Sequence, residues 1–303
     1  TELSTYIGAL AIRAIMYEVS ASPKPGLVDR FNSGAHKDMD YFTFVDSCSM
    51  IGDDFRQMAL AGEQFSGCDL SELFNEIRQI GIGTERKMFQ ITGGINTHKG
   101  VIFSIGIISA AAGFLMSQNN TRRIIAEEVC DIVPAMVGSL CQEFKGIGNK
   151  ENLTHGERLF LKCGVKGIRG EVESGFKTVM IYGMPELRNN LDEQDRNAVL
   201  VNTLLSLMSG AEDSNILHRH SMDVLTNVQL DAGVALSYGG LFTTEGREFI
   251  ESMSRDFVDR GISPGGSADL LAVTIFLGML EGLEFTHHSY KKCTKKIEKF
   301  SEL

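Results

Sequence analysis

With 303 residues, 43% of them hydrophobic and 22% charged, the chain has the composition of a soluble globular protein and length enough for one large core or two smaller ones. A net charge of −10 excludes a general nucleic-acid surface, which needs a basic footprint, but leaves room for a small anionic ligand held by a few local cations. The six cysteines, at 48, 68, 130, 141, 163 and 293, form no C-x-x-C pair, and the seven histidines no H-E-x-x-H, so neither a zinc centre nor a disulfide framework is expected.

Apolar residues recur with helical periodicity over 3–20, 38–62, 70–90, 97–118, 122–145, 195–210, 216–236, 244–260 and 268–283. No stretch alternates long enough to make a strand. Start signals accompany several of these helices, with Asp69 or Ser71 ahead of Glu72, and Thr154 three residues before Glu157. Short connections, no Pro/Ser-rich linker and no fixed-period repeat predict a single all-α domain over 1–303, built around a buried helix that begins at Thr97. The apolar run 101–116 is short for a membrane span and reads as that core helix. The chain opens without a charged n-region or cleavage site, so no signal peptide is expected. The cysteines then read as reduced core residues of a cytoplasmic protein. The lysine-rich tail, from Lys291 to Lys299, reads as a solvated last helix.

Thr92-Gly93-Gly94-Ile95-Asn96-Thr97-His98-Lys99-Gly100 carries the most information, because its cations sit at the wrong end of a helix. With Thr97 as N-cap, His98 and Lys99 fall in the first turn, where the helix dipole already supplies positive potential and favours anions. Two glycines, free N–H groups and a lysine at one point describe a phosphate or carboxylate site.

Four other polar clusters interrupt the helices. Pro23-Lys24-Pro25-Gly26-Leu27-Val28-Asp29 holds Lys24 between two prolines of fixed φ. Gly34-Ala35-His36-Lys37-Asp38-Met39 offers a histidine, a lysine and a carboxylate. The third is Gly167-Ile168-Arg169-Gly170-Glu171-Val172-Glu173-Ser174-Gly175-Phe176, and the fourth Ser263-Pro264-Gly265-Gly266-Ser267-Ala268-Asp269. Asp269 shares a helical face with Ala272, Val273 and Phe276, and Glu212 follows Leu205 and Met208 on an apolar face, with Asp213 next. Carboxylates so placed must be paired, hydrogen-bonded or metal-bound. Glu212 and Asp213 are therefore candidate Mg²⁺ ligands, and Asp269 a supporting ligand or a helix cap.

Taken in order, P-K-P-G-L-V-D, G-x-H-x-D-M, T-G-G-x-N-T-H-K-G, R-G-E-x-x-x-G-F and S-P-G-G-x-A-D-L-L-A resemble the triphosphoribosyl-dephospho-CoA synthase family, from about Ala11 to Leu277. The resemblance implies a pentosyltransferase that joins ribose C1 of ATP to the 2′-hydroxyl of 3′-dephospho-CoA, keeps the triphosphate and releases adenine. It implies a product that serves as prosthetic-group precursor for the acyl carrier subunit of citrate lyase or malonate decarboxylase, passed on to a holo-acyl-carrier-protein transferase. Mg²⁺ is expected with ATP, no organic cofactor, and no nucleic-acid or membrane partner; a homodimer stays open.

Such chemistry needs cation sites for two polyanions, a carboxylate near the developing oxocarbenium ion and a base for the 2′-hydroxyl. Glu171 is the first candidate base and Asp38 the second. Lys24, Gly26, His36, Gly93, Gly94, Asn96, Thr97, His98, Lys99, Arg169, Gly265, Gly266 and Asp269 are the candidate substrate contacts. Two other functions fit the same acids: an all-α, Mg²⁺-dependent N-glycosyl hydrolase acting on an ADP-ribose-like nucleotide, and a non-catalytic helical module that binds a nucleotide or CoA.

Overall fold

The computed structural model describes residues 1–138, 140, 153, 155–193 and 195–285. Among them all regular structure is helical. In chain order the helices are α1 (Glu2–Ser20), α2 (Tyr41–Gln64), α3 (Leu70–Ile91), α4 (Lys99–Gln118), α5 (Ala126–Val137), α6 (His155–Cys163) and α7 (Gly167–Glu173). A π-helical turn, Val179–Gly183, leads into α8 (Met184–Asn189). After it come α9 (Arg196–Gly210), α10 (Ser214–Arg219), α11 (Met222–Ser237), a 3₁₀ turn at Gly240–Phe242, α12 (Thr244–Arg260) and α13 (Gly265–Glu281). The all-α expectation is met.

Two almost wholly apolar helices, α4 and α13, form the centre, as a helix without a polar face must. They pack against α1 and α2, with α3 against α2 and α4, while α9 carries α11 on the far side of α13. Close approach between α2 and α4 comes from small residues. A Cβ on Gly62 would lie 1.9 Å from the Ala110 carbonyl oxygen, and one on Gly113 2.2 Å from that of Ala59, so backbone meets backbone at the crossing. By length and composition α4 could cross a membrane, but 72% of its apolar window is buried within this protein.

Several boundaries differ from the sequence expectation. The 216–236 helix is two helices, because Ser221 caps α11 by accepting from the Val224 N–H and so ends α10. The 122–145 helix stops at Val137, where Gly138 turns the chain with φ of 56°. Arg169 and Glu171 lie on a short helix rather than in a glycine-rich loop. Of the cysteines, Cys48 and Cys130 are buried but Cys68 and Cys163 are exposed, and all four are free thiols. The Thr154 start signal and the 291–299 tail lie outside the described residues.

Candidate active site

A cleft of about 1300 Å³ opens among the loop after α1, the first turn of α4, the α7 region and the start of α13. It gathers Lys24, His36, Asp38, Asn96, Thr97, His98, Lys99, Arg169, Glu171, Glu212, Asp213, Gly265, Gly266 and Asp269, residues spread over most of the sequence. Three predicted contacts stay outside its lining. Gly93 and Gly94 instead terminate α3, with the Gly94 N–H donating to the Phe89 carbonyl at 2.7 Å in an exposed turn. Gly26 packs against the Ile262 backbone.

The loop that carries Lys24 is held from inside by Asp29. Its buried carboxylate accepts from Ser22 Oγ (2.8 Å), Lys24 N (3.3 Å), Phe31 N (2.8 Å) and Asn32 N (3.0 Å). Lys24 forms a buried ion pair with Glu18 of α1, so its charge reaches the cleft already partly neutralised. Burial raises the Glu18 pKa, while the lysine opposes that rise. His36 Nε2 lies 2.8 Å from Ser263 Oγ and joins the second loop to the approach of α13. Burial lowers the His36 pKa, and the nearby Arg219 charge adds to the effect. Asp38, by contrast, is 63% exposed.

At the start of α4 the expected cap is replaced. His98 is the N-cap residue and makes no side-chain cap bond. Thr97 Oγ1 instead donates to Ser47 Oγ of α2 (2.8 Å), which leaves the Ser47 proton for His98 Nδ1 at 2.7 Å. The Lys99 N–H is satisfied by Asn96 Oδ1 at 3.1 Å. His98 is buried, and desolvation, with the Lys24 charge behind it, pushes its pKa down to about 3. It is a neutral imidazole bridging α2 and α4, not the phosphate-binding cation expected. Lys99 is the cation of this turn, half-exposed and 3.0 Å from Glu85 of α3.

Glu171 faces the cleft from α7. Its carboxylate accepts from the Thr178 hydroxyl and from the Thr178 N–H at 3.2 Å. Burial raises its pKa against those bonds, and Glu212 adds a smaller push in the same direction. Glu173 turns away to Lys166 at 3.1 Å.

The predicted metal pair separates. Since α9 ends at Gly210, Glu212 is an exposed connection residue at the cleft and not part of an apolar helical face. Asp213 is buried and has no oxygen to spare. Its Oδ1 accepts from Asn215 N (2.9 Å), Ile216 N (3.3 Å) and Gly266 N (3.2 Å), and its Oδ2 from Ser267 N (2.7 Å) and Ser267 Oγ (2.9 Å). One carboxylate thus caps α10 and ties down the start of α13. Gly266 gives its N–H to this bond, so it is not available to a phosphate.

Asp269 is the opposite case. It lies well inside α13, past any capping position, half-buried at the cleft, and no described residue hydrogen-bonds or ion-pairs with it. Its Oδ2 would lie 2.0 Å from a Cβ on Gly100, so the glycine makes room for the carboxylate. Its pKa stands well above the ordinary value through burial first, then repulsion from Glu18 and Asp213. Among the described residues no set of three or more His, Cys, Asp or Glu side chains is placed to hold a metal ion by itself.

Sequence reasoning missed Asp29 and Ser47, which position Lys24 and His98, and Arg219, a further cation at the cleft. Asp29 was visible within the P-K-P-G-L-V-D run. Ser47 carried no signal, since its role depends on a contact between two helices.

The family model described as ATP:dephospho-CoA triphosphoribosyl transferase matches residues 4–286. A relative from Lactiplantibacillus plantarum, described as a probable 2-(5''-triphosphoribosyl)-3'-dephosphocoenzyme-A synthase, is 38% identical over 273 residues, covering 89% of this chain and 95% of its own. One from Streptococcus pyogenes serotype M3 with the same description is 37% identical over 288 residues, covering 92% and 98%. No solved structure matches. The chain therefore belongs to the ATP:dephospho-CoA triphosphoribosyl transferase family.

Proposed function

We propose that this chain transfers the 5-triphosphoribosyl group of ATP to the 2′-hydroxyl of 3′-dephospho-CoA and releases adenine. The observation that carries the reading is the cleft itself. At about 1300 Å³ it exceeds the roughly 300–1,000 Å³ of an ordinary small-ligand pocket, and it combines cationic walls with carboxylates of raised pKa, Glu171 and Asp269 among them. Two nucleotide-sized polyanions require that combination. The product would pass to a holo-acyl-carrier-protein transferase that serves citrate lyase or malonate decarboxylase.

In this reading Lys99 and Arg169 hold phosphates, and Lys24 assists with the charge that Glu18 leaves it. Glu171 accepts the proton of the 2′-hydroxyl. A raised pKa brings a carboxylate closer to the operating pH and makes it a stronger base once ionised. Asp269, half-buried at the cleft and without a partner among the described residues, stabilises positive charge developing at ribose C1 as the bond to adenine breaks.

Of the predicted metal pair Asp213 is saturated, so Glu212 at the cleft is the carboxylate that would hold Mg²⁺. Magnesium usually takes one or two carboxylates and completes its shell with substrate phosphates and water, so such a site needs no all-protein cage. The ion would supply charge neutralisation on the triphosphate.

The test is chromatography of ATP, Mg²⁺ and dephospho-CoA incubated with the protein. Adenine and a heavier CoA derivative should accumulate in equal amounts. Adenine release without consumption of dephospho-CoA would establish hydrolysis instead, and saturable nucleotide binding without turnover would establish a binding module.

A further inference from the structure

Away from the cleft, α1, the loop after it and the start of α9 bring three arginines together, with one acid, Asp195, among the described residues that line the pocket. The Tyr17 hydroxyl accepts from Arg13 Nε (3.2 Å) and Nη2 (3.0 Å) and from Arg196 Nη1 (3.1 Å). Both guanidinium groups lie against the Tyr17 ring, with their central carbons 5.1 and 5.3 Å from its centroid. Arg30 stands at the rim, with Nη2 3.3 Å from Asn197 Oδ1. Tyr17, Ser20, Arg30, Asp195, Arg196 and Asn197 line a pocket of about 590 Å³, with Arg13 behind the phenol.

Among the described residues none of these three arginines pairs with a carboxylate. The adjacent acid, Asp195, caps α9 through Ala198 N (3.1 Å) and faces Arg247 at 3.7 Å. The chain has 39 acidic residues against 29 basic ones, so acids to pair with these arginines are plentiful. Two like charges on one neutral oxygen repel each other, and a guanidinium has five donors, of which Arg196 uses one here. The remaining donors form planar forks that match an oxyanion, held in place by the aromatic face.

We propose that this pocket is a second anion site, separate from the cleft, which takes a small oxyanion of two or more charges bearing phosphate or carboxylate groups. Its far wall is the loop that carries Lys24. Asn197 Oδ1 accepts from the Ser22 N–H (2.9 Å) and its amide donates to the Ser22 carbonyl, while Ser22 Oγ bonds to Asp29, the residue that holds the loop. An anion on Arg30 and Arg196 touches this clamp, so its occupancy is transmitted toward Lys24.

Calorimetric titration of the full chain, with Lys99→Met and Arg169→Met to disable the cleft, tests the site with inorganic pyrophosphate and, separately, tricarballylate. One equivalent of at least one probe should bind. Adding Arg13→Gln and Arg196→Gln should weaken it on the order of tenfold to a hundredfold, the cost of losing charge-assisted contacts. Arg30→Gln, at an exposed position, should also weaken it and serves if the double change does not fold. Pyrophosphate alone would identify a phosphate ligand, tricarballylate alone a carboxylate. In the bound state amide exchange over 21–32 should slow. Binding of neither probe, or binding indifferent to all three arginines, would overturn the proposal.

Discussion

Two carboxylates beside the start of α13 answer burial in opposite ways. Asp213 accepts five hydrogen bonds, so Asp213→Asn would turn an amide donor toward N–H groups that have no other partner. The loss should be about 3 kcal/mol in urea unfolding, with the Mg²⁺ dependence of turnover unchanged. Among the described residues Asp269 has no side-chain hydrogen-bond partner to lose. Asp269→Asn should leave stability equal or higher while turnover falls by about 10²–10³, the loss expected when an electrostatic stabiliser is removed. The pH dependence follows from the raised pKa. The folded state holds the Asp269 proton more tightly than the unfolded chain, so stability from this group is full at low pH and is lost as pH rises through the folded value. Melting temperatures across pH should show that decline, flattened in Asp269→Asn. For Glu171 the raised pKa sets an acidic limb on turnover, because only the ionised form accepts a proton. Glu171→Gln should abolish the limb and lower turnover by about 10²–10⁴. Asp38→Asn, altering an exposed side chain, should leave turnover near the parent value, and a larger loss there would transfer the role of base to Asp38.

At the scale of elements, periodicity sufficed where a helix has a continuous apolar stripe. The helices expected over 70–90, 195–210 and 244–260 end within a residue or so of α3, α9 and α12, with caps at Asp69, Asp195 and Thr243 in their local sequence. It failed where a boundary depends on a tertiary partner. Thr97 is a sound local cap, but its hydroxyl bonds to Ser47 fifty residues away, and His98 goes into the core with it. The anion logic at α4 therefore survives only in part. The glycines finish the previous helix, the histidine is neutral, and Lys99 alone carries charge in that turn. Lys99→Met should raise the ATP concentration needed for half-saturation on the order of tenfold to a hundredfold. Its melting temperature should change little, because the pair with Glu85 is on the surface, where such pairs contribute little. Unchanged ATP affinity with a clear fall in melting temperature would make Lys99 a structural residue.

At the scale of the whole molecule, the cleft is assembled from both ends of the described chain. Glu18 and Lys24 come from α1 and the loop after it, and Asp269 from α13, which packs directly on α1. The middle of the chain supplies Lys99 from α4 and Glu171 from α7. Lys24, Lys99, Glu171 and Asp269 were legible in the sequence as parts of Gly-rich and charged interruptions of helical stripes, whereas Glu18, inside the stripe of α1, was not, and neither was the division of labour among them. Whether an aspartate is a staple, like Asp213, or stands at the cleft without a partner among the described residues, like Asp269, depends on donors from other helices. This assembly ties ligand binding to global stability. A ligand bound across residues from 18 to 269 is lost only when α1 and α13 part, so ATP should stabilise the fold as one cooperative unit. At a hundred times its dissociation constant, ATP with Mg²⁺ should contribute about 2.7 kcal/mol. In scanning calorimetry that amounts to a rise of roughly 5 °C for a chain of this size. One transition should be present and should move as a whole. Two transitions of which ATP moves one would show that the N-terminal and C-terminal walls of the cleft unfold separately, and would divide the expected single domain into two.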